Sequence, residues 1–195
     1  ASHPWVRSLM QPHVPGRRCC IIVVFFEVFV CDGVDGTSMR RVATAAAVPL
    51  GSMTYHFTSR DDLLREAFER FATSVSDAFE TRLAAVDVGD HEALVRALVD
   101  VIGLDVFPDP RDQVLTHELY MLATRRPEIR TLTSAWMRRS RTALERHLDP
   151  KTAGLMDAII EGVTIHRALE DQEKGRLDPE MAVRRVLGNE RTTTP

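Results

Sequence analysis

Apolar residues recur at steps of three and four along most of the chain. The clearest run is Leu64, Phe68, Phe71, Val75, Phe79, Leu83 and Val86. Such spacing puts all seven on one side of a helix of about seven turns. It predicts a long amphipathic helix from Arg60, ended by Asp87–Asp90 with Gly89. Downstream, the same period predicts helices at about His91–Val106, Arg111–Thr124, Pro127–His147 and Lys151–Glu173, and a last one from Asp178-Pro179 to Leu187. Val114, Leu115, Leu119 and Leu122 are expected inward in one of these, and Ile129, Leu132, Trp136, Met137 and Leu144 in the next. Phe107-Pro108-Asp109-Pro110, Asp149-Pro150 and Gly175 mark breaks, because proline and glycine interrupt helices. Upstream, Arg17–Asp32 is a helix by position, although its Ile, Val and Phe content also suits a strand. No stretch makes a convincing strand, so the expected class is all-α, with about nine helices.

The segment Gly36–Leu64, GTSMRRVATAAAVPLGSMTYHFTSRDDLL, carries the most information. Thr37 or Ser38 offers a hydroxyl to cap a helix at about Ser38–Ala45. Val42, Ala43 and Ala46 would face its core. Val48 and Pro49 interrupt the run, and Pro49 suits the first turn of a new helix reaching His56. Thr58 or Ser59 caps the long helix, with Asp61 and Asp62 in its first turn. Two short helices joined by a tight turn form a helix-turn-helix, whose second helix fits a DNA major groove.

Gly33, just before this segment, and Thr37, Ser38, Arg40, Val42, Ala43, Ala46, Val48, Gly51, Tyr55, His56, Phe57, Arg60 and Leu64 within it stand at fixed offsets. On these residues the chain resembles the DNA-binding head of the TetR family of bacterial transcriptional regulators. The resemblance is strong over about residues 33–70 and looser over 71–188. It implies a DNA-binding domain at 17–60 and a ligand-binding and dimerisation bundle at 61–188; residues 1–16, with His3, Pro4, Pro12, His13, Pro15 and Gly16, read as a flexible arm outside the resemblance, and 189–195 as a disordered tail.

Charge agrees with a nucleic-acid head. The chain has net charge −3, yet residues 1–60 hold six arginines against three carboxylates, a local +3 that leaves −6 for the rest. A basic end on an acidic body suits a protein that meets phosphate with one end. Arg40, Arg41 and Arg60 are the candidate phosphate contacts; at Arg60 the family usually has lysine. Leu50, Gly51 and Ser52 would face base edges. There Ser52 can donate or accept, Leu50 can touch a thymine methyl, and Gly51 lets backbone approach closely. Thr37 and Ser38 are chiefly caps that also come within reach of phosphate. The resemblance implies phosphate contact for Tyr55 and His56. The other reading for Tyr55 is packing against the first helix with only its hydroxyl free. Thr54 is open to either face, and Phe57 is expected in the core.

The chain departs from the family pattern at two places. Ala47 stands where the family has glycine, and costs about 1–2 kcal/mol if its φ is positive. Val24 and Phe25 stand where the family favours small residues, which requires shifted packing worth about 1–3 kcal/mol.

The resemblance further implies an effector pocket in the body, with Phe71, Phe79, His117, Tyr120, Met121, Trp136 and His166 as candidates. Ordinary core packing explains the apolar ones equally. It also implies that the last two helices pair with their copies through Ile159, Gly162, Val163, His166, Met181 and Val186. The expected function is a ligand-responsive homodimeric repressor on a palindromic operator, released by a small apolar or aromatic molecule. The alternative is a helical sensor or interaction module that no longer binds DNA.

Other classes find little support. HExxH, GxSxG, P-loop and GxGxxG motifs are missing, so no catalytic role is expected. Cys19, Cys20 and Cys31 with His13 lack zinc-ligand spacing, and no metal or cofactor is implied. Three cysteines make no disulfide framework, which favours a reducing cytoplasm. The apolar run Cys19–Val30 is interrupted by Glu27 and falls far short of the roughly 20 residues that span a bilayer.

Overall fold

A computed structural model describes residues 16–105, 110–169 and 177–188. The described residues form nine α-helices, one π-helical segment and no strand. The helices are α1 (Arg17–Gly36), α2 (Met39–Ala45), α3 (Leu50–His56), α4 (Arg60–Ala84), α5 (His91–Asp100), α6 (Pro110–Arg125), α7 (Pro127–Leu144), α8 (Pro150–Leu169) and α9 (Pro179–Leu187). The segment expected as one helix to Val106 is α-helical only to Asp100 and π-helical over Val101–Asp105. Residues 1–15, Phe107–Asp109, the expected end of the eighth helix at Glu173 with its Gly175 stop, and 189–195 lie outside the described residues.

The chain divides into two compact units. One holds the described residues to Ser74 with Val114–Thr133; the other holds Val75–Gln113 with the described residues from Ser134. Helices α4, α6 and α7 contribute to both.

In the first unit, α1 is helical despite its β-branched content. Ile21, Ile22, Phe25, Phe26, Val28 and Phe29 are buried along one face, so burial at helical period overrides local propensity. Gly33 interrupts α1 with φ +65°, a left-handed conformation that glycine adopts without a Cβ penalty. Phe26 and Phe29 meet Phe68 and Phe71 of α4 in an aromatic cluster that Phe25 joins through Phe26 and Phe29. Phe26–Phe68 and Phe29–Phe68 stand edge to face with centroids 5.7 and 5.3 Å apart. Such pairs add about 0.5–1.5 kcal/mol beyond area burial. The cluster is how the fold absorbs Phe25, which is fully buried; Val24 is half-buried. On α6, Leu115, Leu119 and Leu122 are buried as expected, but Val114 is exposed, because it falls outside the stripe those three define. Arg126 donates to Asp61 at 2.7 Å, tying the end of α6 to the start of α4.

The second unit has its own core. Phe79 and Leu83 of α4, Leu94, Val95 and Leu98 of α5, Val101 and Ile102 of the π segment, Leu144 of α7, Met156 and Val163 of α8 and Val183 of α9 pack together. Asp90 and Asp178 cap α5 and α9, accepting from the Ala93 and Glu180 amides. Arg139 donates to Asp77 and Glu80, and Arg184 to Glu92 and Glu180. Arg141 reaches Asp157, whose carboxyl is nevertheless pushed up by burial. Among the described residues no helix is long and apolar enough to cross a membrane.

Candidate nucleic-acid interface

The helix-turn-helix begins at a double anchor. Ser38, not Thr37, caps α2, its Oγ accepting from the Arg41 amide at 3.2 Å. Thr37 is only 2 % exposed, and its hydroxyl donates to the Gly33 carbonyl at 2.7 Å. Its side chain therefore locks the α1–α2 turn and is withdrawn from any phosphate. Arg41 is exposed but pairs with Asp32, Nε to Oδ2 at 2.6 Å and Nη2 to Oδ1 at 2.8 Å. Arg40 is exposed, with no acidic partner among the described residues.

Between the two helices the chain makes a Schellman turn. The Val48 amide donates to the Ala43 carbonyl at 3.0 Å, and the Ala47 amide to Thr44 at 3.1 Å. Ala47 has φ +52°, so the left-handed position where glycine is usual is occupied by a residue with a Cβ. Pro49 precedes α3 as its N-cap instead of lying inside its first turn.

Helix α3 has two unlike faces. Met53 and Phe57, four residues apart, are fully buried and seat it on the unit's core. Leu50 (42 % exposed), Gly51, Thr54 and Tyr55 (85 % exposed) face outward, with Ser52 and His56 half-buried beside them. Such exposure rules out packing of Tyr55 against α1; its ring stands edge to face with His56, centroids 5.1 Å apart. A Cβ on Gly51 would meet no atom within 4 Å, so nothing among the described residues demands glycine there.

Arg60 opens α4. Ser59 caps that helix, accepting from the Asp62 amide at 3.0 Å, while Asp62 accepts from the Thr58 amide and hydroxyl. These bonds, the Thr58 amide foremost, hold the Asp62 carboxyl below its usual range. Nε and Nη2 of Arg60 are enclosed by protein atoms without a hydrogen-bond partner. A guanidinium at a helix N-terminus adds positive charge to the positive end of the dipole, and both favour an incoming anion.

An unpaired Arg40, an underbonded Arg60 and an outward α3 carrying hydroxyls and one tyrosine make a surface able to grip phosphate and read bases. Comparison with known proteins identifies the family. Residues 21–67 match the family model described as bacterial regulatory proteins, tetR family, and residues 89–189 match tetracyclin repressor-like, C-terminal domain. The chain belongs to the TetR family of transcriptional regulators. SCO7518 from Streptomyces coelicolor A3(2) is 45 % identical, with a TM-score of 0.78 over 88 % of this chain and 98 % of that one. The multidrug binding protein EbrR, solved with ethidium, is 33 % identical, with a TM-score of 0.70 over 89 % of this chain and 99 % of its own. The HTH-type transcriptional regulator PksA of Bacillus subtilis (strain 168) is 25 % identical over 108 residues, 55 % of this chain. That match spans half the length of PksA.

The residues that TetR resemblance nominated for a pocket are scattered in role. Phe71 lies in the aromatic cluster and Phe79 in the core of the second unit, both sealed by packing. Met121 is 56 % exposed, and His166 is exposed on α8. Trp136 is buried; His117 and Tyr120 are half-buried. Burial holds the His117 imidazole below its usual pKa, so it is neutral at pH 7.

For pairing between copies, the structure revises the set. Val163 is buried in its own unit's core and is not a free contact; Val186 is half-buried on the flank of that core. Ile159 is half-buried on the flank of the same core. Gly162 is half-buried with open space where a Cβ would project, and Met181 is exposed. Leu155 (62 % exposed) and Leu169 (75 % exposed) were missed from sequence. With Ile159, Gly162 and His166 they form a stripe at steps of four, three, four and three along α8. The spacing was there to read, but the core below α8 has the same period, and only burial separates the two faces. Among the described residues no group of three potential metal ligands occurs.

Proposed function

We propose that this TetR-family regulator is a homodimeric repressor that binds a palindromic operator and is released by a small apolar or aromatic molecule. Residues 17–60 form the DNA-binding domain and 61–188 the effector-binding and dimerisation domain. The outward face of α3, with Arg40 and Arg60 nearby in sequence and without acidic partners among the described residues, carries this reading. Each α3 enters a major groove, Leu50, Gly51, Ser52 and Thr54 facing bases while Arg40, Arg60, Tyr55, His56 and Ser38 meet phosphate. The two heads address half-sites about 34–36 Å apart. Arg41 joins them by releasing or sharing Asp32. The apolar stripe of α8, with Met181 of α9, supports pairing with a second copy. EbrR, whose complex holds ethidium, supports an aromatic effector.

Selection from a random duplex pool tests the reading. The expected product is a two-fold symmetric motif, bound more weakly by Arg60→Ala. Absence of any retarded duplex at micromolar protein and low salt would favour a module that does not bind DNA.

A further inference from the structure

The recognition helix ends at a point that no base or phosphate contact explains. Phe57 follows Tyr55 and His56, closes α3 through its amide to the Met53 carbonyl at 2.8 Å, and is fully buried. The Arg18 guanidinium lies over its ring, 4.9 Å from the centroid. Arg18 comes from the first turn of α1 and is held on the other side by Glu66 of α4. Its Nε donates to both Glu66 oxygens, at 3.0 and 3.1 Å, and its Nη2 to Oε2. Arg70, one turn along α4, donates to Glu66 Oε1 at 2.8 Å and to the Cys19 sulfur at 3.3 Å. Three helices thus converge on one planar cation.

We propose that Arg18, clasped by Glu66 and stacked on Phe57, is a positioning residue that fixes the angle at which α3 meets DNA. This rests on the reading of α3 as the recognition helix. A bidentate guanidinium–carboxylate pair is directional, and a guanidinium on an aromatic face restricts the ring beneath it. Together they restrain the C-terminal end of α3, where Tyr55 and His56 project. Met53 and Phe57 alone seat a helix of seven residues, a short lever for holding an angle. Burial pushes the Glu66 carboxyl up, but hydrogen bonds from Arg18 and Arg70 outweigh it and leave it below its usual range. The carboxylate is therefore ionised, and the clasp closed, at neutral pH.

The test uses the full chain and the best duplex recovered by selection. Arg18→Met keeps most of the bulk and removes the charge; Glu66→Gln keeps the shape and removes the carboxylate. Each should lower affinity about tenfold, and the double variant should lose no more than either alone, since both break one device. The salt dependence should keep its slope, because no phosphate contact is lost. Arg18→Lys should not rescue binding, because an ammonium offers neither the parallel bonds nor the stack. Rescue by lysine with a slope reduced in Arg18→Met would overturn the proposal and make Arg18 a phosphate contact. Lowered melting with unchanged affinity would also overturn it, leaving a structural pair only. Should Arg18→Met fail to fold, Glu66→Gln and Arg18→Lys carry the same decision. A wild-type protein that selects no duplex overturns this inference and the DNA-binding reading together; one that binds no better than its variants overturns this inference alone.

Discussion

Helices α3 and α8 both expose large apolar side chains, and they differ in what surrounds them. Outward α3 shows Leu50 and Tyr55 among Ser52, Thr54 and His56, with Arg40 and Arg60 nearby in sequence and without acidic partners among the described residues. Outward α8 shows Leu155, Ile159, Gly162 and Leu169, with His166 as the one titratable group among them. The first mixture suits a polyanion, where hydrogen bonds and cations do the gripping. The second suits a protein surface of the same kind, since an uncharged stripe at helical period gains most by facing another. Paired arginines are common in both units: Arg18, Arg41, Arg65, Arg70 and Arg126 of the first reach carboxylates. Arg82, Arg139, Arg141 and Arg184 in the second unit each reach a carboxylate. Among the described residues Arg40 and Arg60 reach none; Arg40 is exposed and open to an external partner, whereas the enclosed Nε and Nη2 of Arg60 must swing outward to meet one.

Breaking the α8 side should have the largest effect. Leu155→Glu combined with Leu169→Glu puts carboxylates on the stripe while touching no core residue. The expected outcome is a monomer by analytical ultracentrifugation, with operator affinity lowered about 100-fold or more, because the second head no longer binds at high effective concentration. A variant that stays dimeric would move the pairing surface elsewhere.

On the α3 side, Arg40→Ala and Arg60→Ala should each cost about tenfold in affinity, as expected for a lost charge-assisted bond. Each should flatten the salt dependence by about 0.9 per phosphate, hence about 2 per dimer. Arg139→Met is the matching control. It removes a partly exposed pair to Asp77 and Glu80, and should lower stability by less than about 1 kcal/mol with the salt slope intact. A changed slope in the control would dissolve the contrast between paired and unpaired arginines.

How much of this was readable beforehand depends on distance along the chain. The capped helix-turn-helix and the stripe from Leu64 to Leu83 rest on local period and local hydrogen bonds, and every one of those stripe residues is buried. Ser38 over Thr37 was not decidable, because the choice turns on Thr37 reaching back to Gly33. The Asp32–Arg41 pair and the Arg18–Glu66 clasp join residues 9 and 48 apart, for which no periodic signal exists. The pocket candidates could not be separated from core by sequence, because core and cavity share one alphabet, as the buried Phe71 and Phe79 show. Val163 and Leu155 illustrate the same limit on α8: both are apolar at helical spacing, yet one is buried and the other exposed.

Gly51 offers a finer test of what α3 faces. Glycine inside a helix costs about 0.5–1 kcal/mol relative to alanine. Nothing among the described residues requires that cost, because the space over Gly51 is empty. Gly51→Ala should therefore raise the melting temperature while lowering duplex affinity several-fold, as the added methyl holds the backbone away from the base edges. Improved stability with unchanged affinity would mean that this turn of α3 does not approach DNA closely.

Ala47 gives the smallest effect and the most local one. At φ +52° its Cβ crowds the following carbonyl, a cost of about 1–2 kcal/mol that glycine avoids. Glycine loses some of this gain through the greater freedom of its unfolded chain, about 0.4–1 kcal/mol. The balance for Ala47→Gly is about 1 kcal/mol of added stability, or about 2–4 °C in melting temperature for a chain of this size. Both Schellman bonds, from Val48 to Ala43 and from Ala47 to Thr44, involve backbone atoms alone and survive the change. The turn should therefore keep its angle, and DNA affinity should not move. If affinity rises with stability, alanine has been tilting α3 relative to α2, and the strain at this one residue belongs to the recognition surface as well as to the fold.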